Sequence, residues 1–293
     1  MHHDTTRTKT NNWVTHPGKR VPRRPFTLLG VWAHPDDETY LSAALMRRVV
    51  RTGGRVVLIC ATRGELGSDD PQIDPRHLGG VRERELRNAM AQLGVHDVWV
   101  LGHPDGGCAE VDDSAAVSSL TVAMRSLQPD LVVTFGPDGI TNHPDHRAVS
   151  RWTTRAWLEA GGRRGHNLLY ATMTRAFVDR HRRAYPELPL TVEGAPFSVP
   201  NDEVALRIVP HPDERARKRA ALASHASQIG GLVELVGENR LHDWWLVETF
   251  REPTSEEVAS VSPLSTPRRV PAGVRATPCP ATPGARRSDP SRR

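Results

Sequence analysis

The chain has little of what marks several common protein classes. Its three cysteines, Cys60, Cys108 and Cys279, are odd in number and far apart, so neither a disulfide framework nor a cysteine-based zinc site is indicated. No apolar run approaches the length of a membrane span, and the N-terminus lacks a hydrophobic signal core. These absences lead us to expect a soluble protein of the reducing cytoplasm. No GxGxxG follows the first apolar run and no P-loop is present, so a dinucleotide or nucleoside triphosphate is not expected. RNA-binding aromatic signatures and zinc-finger spacings are missing too.

The chain does have 293 residues and a net charge of +5, with a pI near 9.5. Much of the basic excess sits at the ends, among them Arg23, Arg24, Arg286, Arg287, Arg292 and Arg293. We read these as solvated tails, with no specific nucleic-acid partner. Apolar residues make up only 38%, a value lowered by those ends. Residues 1–24 are polar without an apolar period. Residues 252–293 are rich in Pro, Ser, Thr and Arg, and are expected to be disordered because they bury too little surface to offset ordering entropy. Between them, residues 25–251 form a core of roughly 225 residues, the size of one domain.

Within that core, short apolar runs alternate with helical spacing. Strands are predicted at 26–33, 55–61, 98–101, 131–135 and 168–172, with helices at 39–51, 81–93, 115–127 and 145–160. The pattern weakens beyond residue 172, where strands at 204–209 and 245–250 and a helix at 214–226 are expected. Alternation of this kind implies an α/β fold, a Rossmann-like, mostly parallel sheet with helices on both faces. Function in such sheets gathers where strands end and helices begin.

Four such places, after Ala33, Ala61, Leu101 and Phe135, carry unusual residues. After the first strand comes His34-Pro35-Asp36-Asp37-Glu38, and after the fourth His143-Pro144-Asp145-His146. Proline is tolerated in a first helical turn because its missing N–H would be unpaired there anyway. Each carboxylate, taken singly, is explained as a helix cap or a dipole partner. That explanation covers neither His34 nor the recurrence. Together the two turns offer His, Asp and His as metal ligands, with a carboxylate and a histidine left over. Three protein ligands leave a position for water, as in catalytic zinc sites.

Further motifs are Ala61-Thr62-Arg63-Gly64-Glu65-Leu66-Gly67 and Leu101-Gly102-His103-Pro104-Asp105-Gly106. Arg63, Glu65, Arg82 and Asp105 either hydrogen-bond a substrate's hydroxyls and acyl oxygen or pair among themselves to fix loops. His103 is a candidate for the substrate pocket. His225 and Gln228 read as a structural helix pair near the pocket, and Trp244-Trp245 as core packing, with sugar stacking the minority alternative. His211-Pro212-Asp213-Glu214 reads as an ordinary helix start.

Taken in order from about Phe26 to Gln228, these motifs resemble the LmbE-like, or PIG-L, family of zinc-dependent N-acetylglucosaminyl deacetylases. The resemblance implies Zn2+ held by His34, Asp37 and His146. It further implies Asp36 as general base, His143 as general acid or carbonyl-polarising group, and Asp145 as the residue orienting a neighbouring histidine. The expected reaction is removal of an N-acyl group, an acetyl first of all, from a small amino-sugar conjugate. The alternatives are a conjugate amidase on a larger acyl group and a non-catalytic sugar-binding module.

Overall fold

The first strand, β1 (Thr27–Trp32), is buried along its whole length, so it reads as an unbroken apolar run rather than an alternating one. This computed structural model describes residues 24–68, 72–162, 168–186 and 188–262. The expected disorder of residues 1–24 falls outside these except at Arg24, which pairs with Asp130 at 3.0 Å. After β1 the elements run α1 (Asp37–Arg51), β2 (Arg55–Cys60), α2 (Pro75–Leu93), β3 (Asp97–Val100), α3 (Asp113–Leu127), β4 (Leu131–Phe135), the single turn α4 (Gly139–Asn142), α5 (Pro144–Glu159) and β5 (Leu168–Ala171). Then come α6 (Arg175–Ala184), β6 (Leu206–Ile208), α7 (Pro212–Ala223), α8 (Ala226–Val236), α9 (Glu238–Trp244), β7 (Glu248–Arg251) and α10 (Ser255–Val261).

The seven strands form one sheet in the order β3-β2-β1-β4-β5-β7-β6. The first five are parallel, while β7 runs antiparallel to β5 and to β6. The sheet is therefore mixed but mostly parallel, as expected. Helices α1, α2 and α7 pack with one another, and α3, α5 and α10 form a second group. Chain order reverses where β1 pairs with β4, through Leu28↔Leu131 to Gly30↔Val133. A crevice opens at the carboxyl ends of two such strands because their following helices leave to opposite sides. The two His-Pro-Asp turns are what follow β1 and β4.

Three differences from expectation have local causes. Helix α2 starts at Pro75 rather than 81, with the Asp74 side chain accepting from the Arg76 N–H and proline in the first turn. Helices α6, α8 and α9 occupy the region where the pattern had weakened. Helix α10 lies inside the stretch expected to be disordered. Its Thr254 and Glu257 form a reciprocal capping box, and Glu257 also holds buried Arg251 at 2.6 and 2.8 Å. The ordered chain thus extends beyond 251, and the compact unit ends at Ser262. Residues 263–293, Cys279 included, lie outside the described residues.

Candidate active site

The turn after β1 is strained. Asp36 has φ 133°, a backbone region that side-chain-bearing residues seldom occupy. The turn after β4 shares this property, with Ile140 at φ 60° and Asn142 at φ 62°. Three of the four non-glycine residues with positive φ among the described residues thus flank one crevice. Gly139, at φ +71°, leaves room that a Cβ would take from His146, 3.0 Å away.

The carboxylates after β1 do not cap α1. Asp36 occupies the N-cap position but makes no side-chain cap hydrogen bond. Instead Glu38 accepts the Asp36 N–H at 3.0 Å and pairs with fully buried His225 at 3.0 Å. This pair holds the strained turn from below. Asp36 itself meets Arg82 at 3.4 Å, and burial in the cleft wall pushes its carboxyl up to about 6, against the pull of that guanidinium.

Asp37 accepts the His34 N–H at 2.8 Å. Its carboxylate then lies 3.6 Å from His34 Nδ1 and 3.4 Å from His146 Nε2. Those two nitrogens are 3.1 Å apart. On the far side of each ring a partner sets the tautomer. His34 Nε2 faces Asp105 at 3.0 Å and Asp145 at 3.2 Å. His146 Nδ1 faces the Gly139 carbonyl at 3.0 Å and the Thr141 hydroxyl at 3.1 Å, and its ring stacks on Phe135 with centroids 4.1 Å apart. The remaining nitrogen of each ring therefore faces the Asp37 carboxylate.

This arrangement fits a metal ion. Donors around a tetrahedral ion with bonds near 2.0–2.1 Å stand about 3.3 Å apart, and the three observed separations bracket that value. The charges agree. Burial disfavours a charged His34, yet Asp105, Asp145 and Asp37 push its imidazole up to about 10, so the cluster calls for a positive charge. His146 goes the other way, held well below the usual histidine range by burial and by the neighbouring imidazoles, and so stays neutral as a ligand must.

His143 also brings a nitrogen into ligating range of His34 and His146. Its Nδ1, however, accepts the Asp145 N–H at 3.1 Å as the N-cap of α5. The proton of the neutral ring is then on Nε2, which makes this ring a hydrogen-bond donor rather than a ligand. Asp105 and Asp145 likewise group around His34, but their oxygens are taken. Fully buried Asp145 accepts from the Gly106 and Cys108 amides at 2.8 and 3.0 Å, and Asp105 from the Leu66 amide at 2.8 Å. Against the cost of burial, His34 and that amide draw Asp105 down to about 2. Both carboxylates orient the ring from behind.

The remaining expected site residues divide. Asp105 lines the cavity over the cluster of His34, Asp37 and His146, with Asp36, Arg82, His143 and Gln228. Arg63 turns away to Glu83 at 2.9 Å. Glu65 accepts the Asp105 amide at 3.0 Å, and Arg82 holds the Gly64 and Pro35 carbonyls at 2.8 Å. For these three the loop-fixing alternative describes the contacts. Gly64 is needed here, at φ +65°, because a Cβ would strike the Arg82 guanidinium. His103 sits against Trp152, centroids 5.0 Å apart, and is not among the cavity-lining residues. Trp244 and Trp245, expected in the core, do line the cavity, as do Tyr40 and Leu232. Only spacing between tandem aromatics hinted at them, and core packing leaves the same trace.

An α/β sheet whose switch-point crevice presents two imidazoles and a carboxylate around one cation position, with an aspartate and a donor histidine alongside, defines the class of metal-dependent hydrolases built on a Rossmann-like frame. Residues 29–157 match the family model described as PIG-L, GlcNAc-PI de-N-acetylase, a stretch that contains both His-Pro-Asp turns. The chain is 33% identical over 236 residues to the 1D-myo-inositol 2-acetamido-2-deoxy-alpha-D-glucopyranoside deacetylase of a Mycobacterium species (strain KMS), covering 71% of this chain and 75% of that one. It is 38% identical over 168 residues to the enzyme of the same name from Kineococcus radiotolerans, where the match covers 47% of this chain and only 46% of the relative. The N,N'-diacetylchitobiose deacetylase of Pyrococcus horikoshii shares the fold, with a TM-score of 0.55 at 19% identity over 82% of this chain and 87% of that one. The chain belongs to the PIG-L (LmbE-like) family.

Proposed function

We propose that this protein is a zinc-dependent hydrolase that removes an N-acyl group, an acetyl first of all, from a small amino-sugar conjugate. The observation that carries the reading is the convergence of His34 Nδ1, His146 Nε2 and the Asp37 carboxylate, 3.1 to 3.6 Å apart, at the wall of a cavity of about 440 Å³. The relatives supply the substrate class, since the two curated ones named above are deacetylases of an N-acetylated glucosaminyl inositol.

His34, Asp37 and His146 would hold the zinc. Once bound, zinc supplies an acidified water and a charge that polarises the amide carbonyl. Asp36, with a carboxyl poised near 6, accepts a proton from the attacking water. His143, protonated at Nε2, donates toward the carbonyl oxygen or the departing amine. The oxygen–carbon bond forms, the carbon–nitrogen bond breaks, and the products are a carboxylate and a free amine. Asp145 and Asp105 keep His34 in the tautomer that binds metal. Among the described residues Cys60 and Cys108 are unpaired and buried, in keeping with the reducing cytoplasm where we place the enzyme. No described helix is long and apolar enough to cross a membrane.

The test is a panel of N-acyl amino sugars and their conjugates, assayed for free amine with and without chelator. Amine release abolished by chelator and restored by zinc is the expected result. Binding without release from any member would favour a non-catalytic sugar-binding module.

A further inference from the structure

The cavity has two chemically different walls. Its acidic, basic and imidazole side chains come from the two His-Pro-Asp turns, with Arg82 and Asp105 added. The rest is largely apolar, formed by Leu41, Pro189, Leu190, Leu232, Trp244 and Trp245. This second wall is continuous. Leu232 and Trp244 pack on one cluster with Tyr40, while Trp244 and Trp245 pack on another with Leu190. The tryptophan rings are fixed from behind, Trp244 stacked on His181 with centroids 4.9 Å apart and planes 7° apart, and Trp245 against Phe177 at 4.8 Å.

Little on that side can satisfy a polyol. The Tyr40 hydroxyl and the Gln228 amide are its main polar groups, and the Gln228 nitrogen already lies 3.1 Å from the Ser227 hydroxyl. The Trp244 indole nitrogen is buried without a hydrogen-bond partner, so it presents no donor at the cavity surface. A sugar or inositol ring pressed there would leave hydroxyls unpaired, which is costly, whereas an aromatic or alkyl group would be desolvated favourably against rigid rings. The cavity volume falls in the range of about 300–1,000 Å³ typical of small-ligand pockets. Most of this wall, from Pro189 onward, also lies outside residues 29–157, which match the family model and carry the metal-binding turns.

We propose that the substrate carries an apolar or aromatic group beyond the amino sugar, seated on the wall of Leu190, Leu232, Trp244 and Trp245. This rests on the deacetylase reading and narrows it. The group can be attached at the glycosidic position or be part of a longer acyl chain, and both present the same surface to the wall.

The experiment is calorimetric titration of zinc-loaded Asp36→Ala protein, where turnover does not interfere. The ligands are phenyl N-acetylglucosaminide for the glycosidic source, N-hexanoylglucosamine for the acyl source, and N-acetylglucosaminyl-inositol as the polyol. One apolar ligand should bind about tenfold or more tightly than the polyol, and which one identifies the source. Adding Trp244→Ala should erase that advantage. Should that variant fail to fold, Leu232→Asn on exposed helix α8 serves the same purpose. Equal affinities, tighter binding of the polyol, or an apolar advantage untouched by substitution would overturn the proposal. Tight apolar binding to the wild type with no amine released from any ligand would sink the deacetylase reading instead, leaving the wall's preference established.

Discussion

His34 Nδ1 and His146 Nε2 face each other across 3.1 Å, and only a shared cation satisfies both. Each ring's other nitrogen is engaged, by Asp105 and Asp145 in one case and the Gly139 carbonyl in the other. In the proposed reading a zinc ion would sit between them and also take the Asp37 carboxylate. Purified protein should therefore contain about one zinc per chain, and His146→Ala should lower that to a small fraction by elemental analysis while also abolishing turnover. Full metal occupancy in that variant would show the ligand set to be wrong.

Asp36 lines the cavity without belonging to the cation cluster. Asp36→Ala should keep its zinc yet lose kcat by about 10²–10⁴-fold, the usual contribution of a general base. Because φ is 133° at this position, Asp36→Gly should be more stable than Asp36→Ala by about 1 kcal/mol. Denaturant titration of the pair checks this, and equal midpoints would mean the backbone strain has relaxed.

Asp145 is fully buried and holds His34 and two loop amides. An asparagine offers one acceptor where the carboxylate offers two. Asp145→Asn should weaken zinc binding about 10–100-fold, measured by competition with a chelating dye. An unchanged zinc Kd would assign the orienting role to Asp105 alone.

Away from the site, Glu214 on α7 is fully buried and pairs with Arg48 of α1 at 2.6 Å. Burial opposes its charge, but Arg48 and the His211 amide hold the carboxyl below the usual glutamate range. A carboxyl lowered in the folded state stabilises the fold above its unfolded pKa of about 4.3. That stabilisation fades as pH falls through the lower folded value. Glu214→Gln should cost about 1–3 kcal/mol at pH 7, and the difference from wild type should shrink below pH 4. A difference independent of pH would mean that packing, not charge, carries the effect.

Much of the frame was legible because parallel strands buried on both faces leave unbroken apolar runs. β1, β2 and β4 were each placed within a residue. Of the later helices, α7 was expected, but α6, α8, α9 and α10 were not, for reasons visible in their composition. α6 buries only Val178 and His181, too little for a helical period. α8 carries Gly230 and Gly231 at its centre, which lowers helix propensity. The capping box of α10 and the Asp74-Pro75 start of α2 were written in the chain but outweighed by polar surroundings.

The sequence alone established that two His-Pro-Asp turns close two strands, because spacing and residue type are local properties. Only the tertiary structure decided that these turns meet, since that depends on β1 pairing with β4 across about a hundred residues of chain. It also decided the part each polar group plays. Asp36 could have capped α1, and Trp244 could have vanished into the core. A side chain's direction follows from backbone strain and from neighbours distant in sequence, and no periodicity records either.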